Sequence, residues 1–158
     1  MKKYHLYLDE TFEENFQVIS IFCHEKDYRL AFLLNKHLEI QLKKATSIVD
    51  NKIKTEFPVF EFQDKTFYRN WYLLNNHGTC DKEVPSQQDL FSQHATVFQQ
   101  KVFYINELKK VPFLLKIESG ESLGYYNDLV KKIEDIPQIY AAEILHLTHL
   151  KNKNLLIF

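Results

Sequence analysis

The sequence predicts an α+β fold: an antiparallel or mixed sheet built largely from hairpins, covered by two helices. Three observations carry that expectation. Only two stretches repeat apolar residues with a helical period, one starting at Asp27 and one around Tyr126–Ile133. The other apolar stretches are short, rich in aromatic and β-branched residues, and separated by polar breaks. At 158 residues the chain suits a single domain, residues 1–158, with one main core.

Taken in order, Tyr4, Leu6 and Leu8 alternate with polar neighbours and predict a short strand, and Phe16–Cys23 (FQVISIFC) predicts a stronger one. Ala31, Leu34 and Leu38 then form a helical stripe with Leu30 and Leu33 beside it, so a helix is expected over about 27–39. Asp27 suits its first turn, and Lys36 and His37 suit its last. A Lys-rich connection leads to Phe57–Phe62 and Thr66–Leu74, which read as a hairpin around Gln63, Asp64 and Lys65. Pro58 belongs at an edge or bulge, because it has no N–H for a ladder.

Residues 75–95 hold a glycine, Pro85 and few large apolar side chains, which predicts a long surface loop. A second hairpin is expected from Val97–Ile105 and Val111–Glu118. Ser119 or Ser122 can cap the second helix, and Pro137 marks its stop. Ile139–Leu147 reads as a further strand and Leu155–Phe158 as a short final one. The strand, helix, strand order at the end makes a ferredoxin-like C-terminal part the natural arrangement.

Composition narrows the chemistry. The chain has 13 Phe, 9 Tyr and 1 Trp but only 3 Gly, so glycine-rich dinucleotide and phosphate loops are excluded. A formal net charge of −1 provides no global field to attract nucleic acid, so any such contact must be local. Cys23 lies in an apolar run, where a thiol is an inert small hydrophobe. Cys80 falls in the expected loop, exposed beside His77 and Asp81. With no CxxC, neither a disulfide framework nor a zinc site is expected, and reduced cytoplasm fits best. The start of the sequence lacks the apolar stretch of a secretory signal, and no run is long enough for a membrane helix.

The seven histidines show no metal-binding spacing: His146 and His149, three apart on a predicted strand, would face opposite ways. Glu13 with Glu14 and Glu134 with Asp135 are sequence neighbours that point apart, surface charge rather than an acid and base pair. No GxSxG occurs. No enzyme, metal or cofactor is therefore expected.

What stands out is the 57–72 hairpin, which holds Phe57, Phe60, Phe62, Phe67, Tyr68, Trp71 and Tyr72. Both its faces are apolar, so either both are buried or one is a contact surface able to stack bases or anchor a protein. The candidate nucleic-acid or partner contacts are Arg69 and Trp71 here, with Lys43, Lys44, Lys52, Lys54, Lys109, Lys110, Lys131 and Lys132 from connections and helix surfaces.

Two segments, DYRLAFLLNKHL (Asp27–Leu38) and IPQIYAAEI (Ile136–Ile144), with FPVFEF, FLLKI and KNKNLLIF, resemble the bacterial IPExxxVDY family over nearly the whole chain. Ile136 and Pro137 match the motif, whereas Gln138 stands for Glu, Ala142 for Val, Glu143 for Asp and Ile144 for Tyr. These departures favour a structural meaning, a helix stop leading into a strand. The resemblance implies a small cytoplasmic protein without assigned enzymatic activity, and a lineage-specific ribosome-associated protein. The expectation is a non-catalytic binding module, peripheral on the large ribosomal subunit and contacting ribosomal RNA and neighbouring ribosomal proteins. Two alternatives differ in class: a small-ligand carrier or enzyme with a pocket between sheet and helices lined by Tyr28, Arg29 or Trp71, and a purely protein-binding adaptor.

Overall fold

The structure, a computed structural model, describes residues 15–84 and 96–158. The strand expected over Tyr4–Leu8 and the 85–95 part of the expected loop lie outside the described residues.

Among the described residues ten strands and two α-helices follow one another as β1 (Phe16–Cys23), α1 (Asp27–Leu38), β2 (Lys43–Lys44), β3 (Ile48–Asp50), β4 (Thr55–Phe57), β5 (Val59–Asp64), β6 (Arg69–Asn75), β7 (His77–Val84), β8 (Thr96–Phe103), β9 (Phe113–Glu118), α2 (Leu123–Glu134) and β10 (Ile139–Ile144). Six strands form the main sheet in the order β10-β1-β9-β6-β5-β2, and β3-β4 and β7-β8 are separate two-stranded sheets. All pairings are antiparallel. With β2–β5 and β7–β8 set aside as insertions, β1-α1-β6-β9-α2-β10 is the ferredoxin-like β-α-β-β-α-β unit. That arrangement takes in four of the six strands of the main sheet, β10-β1-β9-β6, and reaches back to β1, more than the C-terminal part predicted.

Alternation divides the sheet's side chains between two cores. Ile19, Ile21, Phe60, Trp71, Leu73, Leu115 and Ile117 face Leu30, Leu34, Tyr126, Leu129 and Ile133 of the helices. On the opposite face Val18, Val59, Leu74 and Leu114 pack with Phe57, Ile105, Val111, Leu150 and Leu156. Burying a Leu or Ile in either layer stabilises the fold by roughly 1.5–3 kcal/mol. Each face of the β5–β6 hairpin thereby reaches a core, through Val59 and Leu74 on one side and Phe60, Trp71 and Leu73 on the other, while Glu61 and Gln63 stay exposed.

The helices obey local signals. Ser122 Oγ caps α2 by accepting from Tyr125 N at 3.4 Å, so of the two serines it is the later one that starts the helix. Past α1 the side chain of Asn35 exchanges two hydrogen bonds with the Leu42 backbone, at 3.0 and 2.7 Å. Since none of the three glycines supplies a left-handed turn, Glu39, Lys54 and Tyr68 take φ of 56°, 51° and 54°.

Several boundaries differ from the sequence reading. Residues 77–84, expected within the long surface loop, form β7 and pair with β8. The expected second hairpin does not exist: β8 goes to β7, while β9 inserts between β1 and β6. Polar strands such as β7 lack the apolar alternation by which strands are recognised. The Lys-rich connection contains β2 and β3, and Leu155–Phe158 belongs to a 3-10 turn (Lys153–Leu156) and its exit instead of a strand. His149 lies in another 3-10 turn, Leu147–His149, so the two-face argument for His146 and His149 does not apply.

On the second face, central in β9, sits Lys116, with its side chain 3% exposed and Nζ 2.8 Å from Glu118 Oε1. The rings of Phe16, Tyr72 and Phe158 surround the ammonium at 4.8, 5.2 and 4.8 Å from their centroids. A buried charge is tolerable only when paired, and here one carboxylate and three ring quadrupoles replace water.

Candidate functional site

Two surfaces remain after the cores are accounted for. One is the β7–β8 ribbon. Its base is pinned through Asn76, which is fully buried. Asn76 Nδ2 donates to the carbonyls of Leu108 and Val111 at 2.9 and 3.0 Å, and its Oδ1 accepts from Ile105 N at 2.8 Å. Gly78 lies so close to β4 that a Cβ would meet Thr55 Cγ2 at 2.6 Å and Phe57 Cε1 at 3.1 Å. Thr55 Oγ1 adds a hydrogen bond to Thr79 O at 3.2 Å.

Beyond Cys80 the ribbon loses this support. Asp81, Lys82 and Glu83 on one strand and Val97–Lys101 on the other are all exposed. Val97 and Phe98 are each 55% exposed, opposite Glu83 and Lys82. Among the described residues no layer covers the distal ribbon, and a two-stranded pair by itself is marginal in water.

The second surface is a cavity of about 740 Å³ where the end of α1, α2 and the β5–β6 turn meet. At its wall Arg69 Nε donates to Glu121 Oε1 at 3.0 Å, and Nη2 reaches the same oxygen. The guanidinium carbon lies 4.7 Å from the Phe67 ring centroid and 4.5 Å from that of Tyr125. Burial pushes the Tyr125 hydroxyl above its ordinary value, against the pull of Arg69. Trp71 lines the cavity while 2% exposed, and its buried Nε1 has no hydrogen-bond partner among the described residues.

Of the predicted contact residues, Arg69, Trp71 and Lys132 come together at this cavity. Trp71 is a core residue of the helix layer, so it can contribute to contact only from the cavity floor. The remaining lysines are exposed and dispersed: Lys43 and Lys44 on the β2 edge, Lys52 and Lys54 at the β3–β4 turn, Lys109 and Lys110 before β9, and Lys131 on α2 within 4.0 Å of Asp128. The hairpin's exposed aromatics are Phe67 and Tyr68 at its turn, not a strand face. Of the other pocket candidates, Tyr28 is exposed on α1 and Arg29 pairs with Glu25 at 3.1 Å; neither lines this cavity.

Cys80 is buried at the ribbon base rather than exposed, because β7 pairing turns it toward the body. Cys23 is buried too, and burial raises its thiol pKa, which disfavours the reactive thiolate. Sequence reasoning found β8 as a strand but missed Asn76 and the pairing of β8 with β7, whose polar residues carry no apolar alternation. Among the described residues no helix is long and apolar enough to cross a membrane. No family model matches the chain, and no curated protein or solved structure matches it significantly.

Proposed function

We propose that this protein is a non-catalytic docking module that sits peripherally on the large ribosomal subunit, contacting RNA and neighbouring proteins. The observation that carries the reading is the β7–β8 ribbon, anchored at Asn76 and left uncovered by the described residues beyond Cys80. The exposed Val97 and Phe98, flanked by Lys82 and Lys101, offer apolar contact to a protein and cationic contact to phosphate. Lysines spread over several edges suit a peripheral position, since each can meet a phosphate without a concentrated basic face. The resemblance to the IPExxxVDY family points the same way.

Sedimentation of native extract at low salt tests it. Comigration with the large subunit, abolished by high salt and weakened by Phe98→Asp, is the expected result. Protein that stays wholly at the top of the gradient overturns it. Nuclease treatment separates the adaptor alternative: a copurifying protein that remains bound without RNA shows that RNA is not the tether.

A further inference from the structure

The two edges of the main sheet are guarded differently. At one end β2 is two residues long and both are lysines, a combination that discourages a further strand. At the other end β10 has six residues, IYAAEI, with neither lysine nor proline among them.

The register shows which backbone groups of β10 are left over. Leu145 N donates to Val18 O at 2.8 Å, and hydrogen-bonded pairs alternate along an antiparallel ladder, so Glu143 and Ala141 also turn their peptide groups to β1. Ala142 and Ile144 turn theirs to the open side. Among the described residues the group that meets this row is Glu134, the last residue of α2, whose Oε1 accepts from Ala142 N at 3.4 Å. Helix stability does not explain a carboxylate there, because the end of α2 is its negative pole and favours cations such as Lys131 and Lys132. Burial does not hold it in place either, since Glu134 is exposed.

The strand that this edge fits is a second copy of β10. Donor and acceptor of Ala142 lie on the same side, so antiparallel pairing about a two-fold axis at Ala142 lets the two copies exchange both hydrogen bonds. Tyr140, which is 61% exposed, then lies across from Ile144 of the second copy, an aromatic and β-branched pair, and Ala141 lies across from Glu143. No like charges oppose each other within the strands. The two Glu134 carboxylates, in contrast, meet near the axis, where each holds an Ala142 N–H that the new ladder needs and each repels the other.

We propose that Glu134 is an autoinhibitory guard, which occupies the β10 edge at Ala142 and keeps the chain from pairing with a second copy through that strand. A register shift between Phe22 and Cys23, which passes over Tyr140, ends the regular ladder at the other end of β10, so one side chain suffices to close the row. The guard uses no residue of the ribbon and does not depend on ribosome association.

Sedimentation velocity of the full chain, from micromolar to submillimolar concentration, tests it. Glu134→Ala is expected to form a dimer with roughly tenfold tighter self-association than the parent, as for loss of one hydrogen bond to a charged group. Glu134→Lys returns like charges to the axis and is expected to stay monomeric; it also suits the end of α2, so it separates the guard from any effect on folding. Amide hydrogen exchange locates the contact: Ile144 N–H, which has no partner among the described residues, should slow as the Ala variant dimerises. An Ala variant that sediments like the parent at every concentration overturns the proposal. So does a Lys variant that dimerises as the Ala variant does, or a dimer in which Ile144 exchanges as fast as in the monomer.

Discussion

β5–β6 and β7–β8 are both antiparallel pairs, yet the first buries side chains on both faces, whereas beyond Cys80 the second is left uncovered by the described residues. The difference begins in the side chains. In β5–β6, Val59 and Leu74 serve one core while Phe60, Trp71 and Leu73 serve the other. The distal part of β7–β8 offers Asp81, Lys82, Glu83, Gln99 and Gln100, which have no reason to leave water. The first hairpin thus supplies side chains to both cores, and the Asn76 junction ties the base of the second to Ile105, Leu108 and Val111.

The largest test of that contrast compares Leu115→Ala with Phe98→Ala. Leu115 is fully buried at the centre of the sheet, and its truncation is expected to cost about 2–5 kcal/mol. Phe98→Ala should change stability by less than about 0.5 kcal/mol. Urea unfolding followed by Trp71 fluorescence measures both, and a large loss at Phe98 would place the ribbon within the core.

Next comes the junction. Asn76→Ala removes three hydrogen bonds and orphans buried backbone groups, an expected loss of about 2–4 kcal/mol. Hydrogen exchange should show faster opening in β7 and β8 than in β9, because the ribbon depends on that anchor and the central sheet does not.

A smaller effect is expected at the caged ammonium. Glu118→Gln leaves Lys116 buried without a counter-charge and should cost about 1–3 kcal/mol, moderated because Glu118 is partly exposed. Lys116→Met keeps the stem and removes the charge, so it should stay within about 1 kcal/mol of the parent. Equal losses in the two variants would show that packing, not charge, governs the cage.

The smallest effect is a pH dependence at the ribbon base. Burial holds the His77 imidazole below its ordinary pKa of 6.5, and Nε2 meets Lys109 O at 3.1 Å. With the folded pKa depressed, the native state binds fewer protons than the unfolded one as pH falls below 6.5. Stability from this group is complete above that pH and is lost as pH falls through the folded pKa. Replacing His77 with Gln should flatten that part of the curve measured by thermal unfolding.

The sequence by itself determined β1, both helices and most of β5–β6, because periodicity, a serine cap and Pro137 act within a few residues of where they lie. It also excluded glycine-dependent phosphate loops. Only the tertiary structure decided that β9 lies between β1 and β6, that β8 pairs with β7, and that Lys116 is caged by rings from three distant segments. The meeting of Arg69, Trp71 and Lys132 with four carboxylates is of the same kind. Local pattern specifies which face of an element is apolar. Which partner covers that face, and which polar groups are left to converge, depends on contacts far apart in the chain, and no short window of residues contains them.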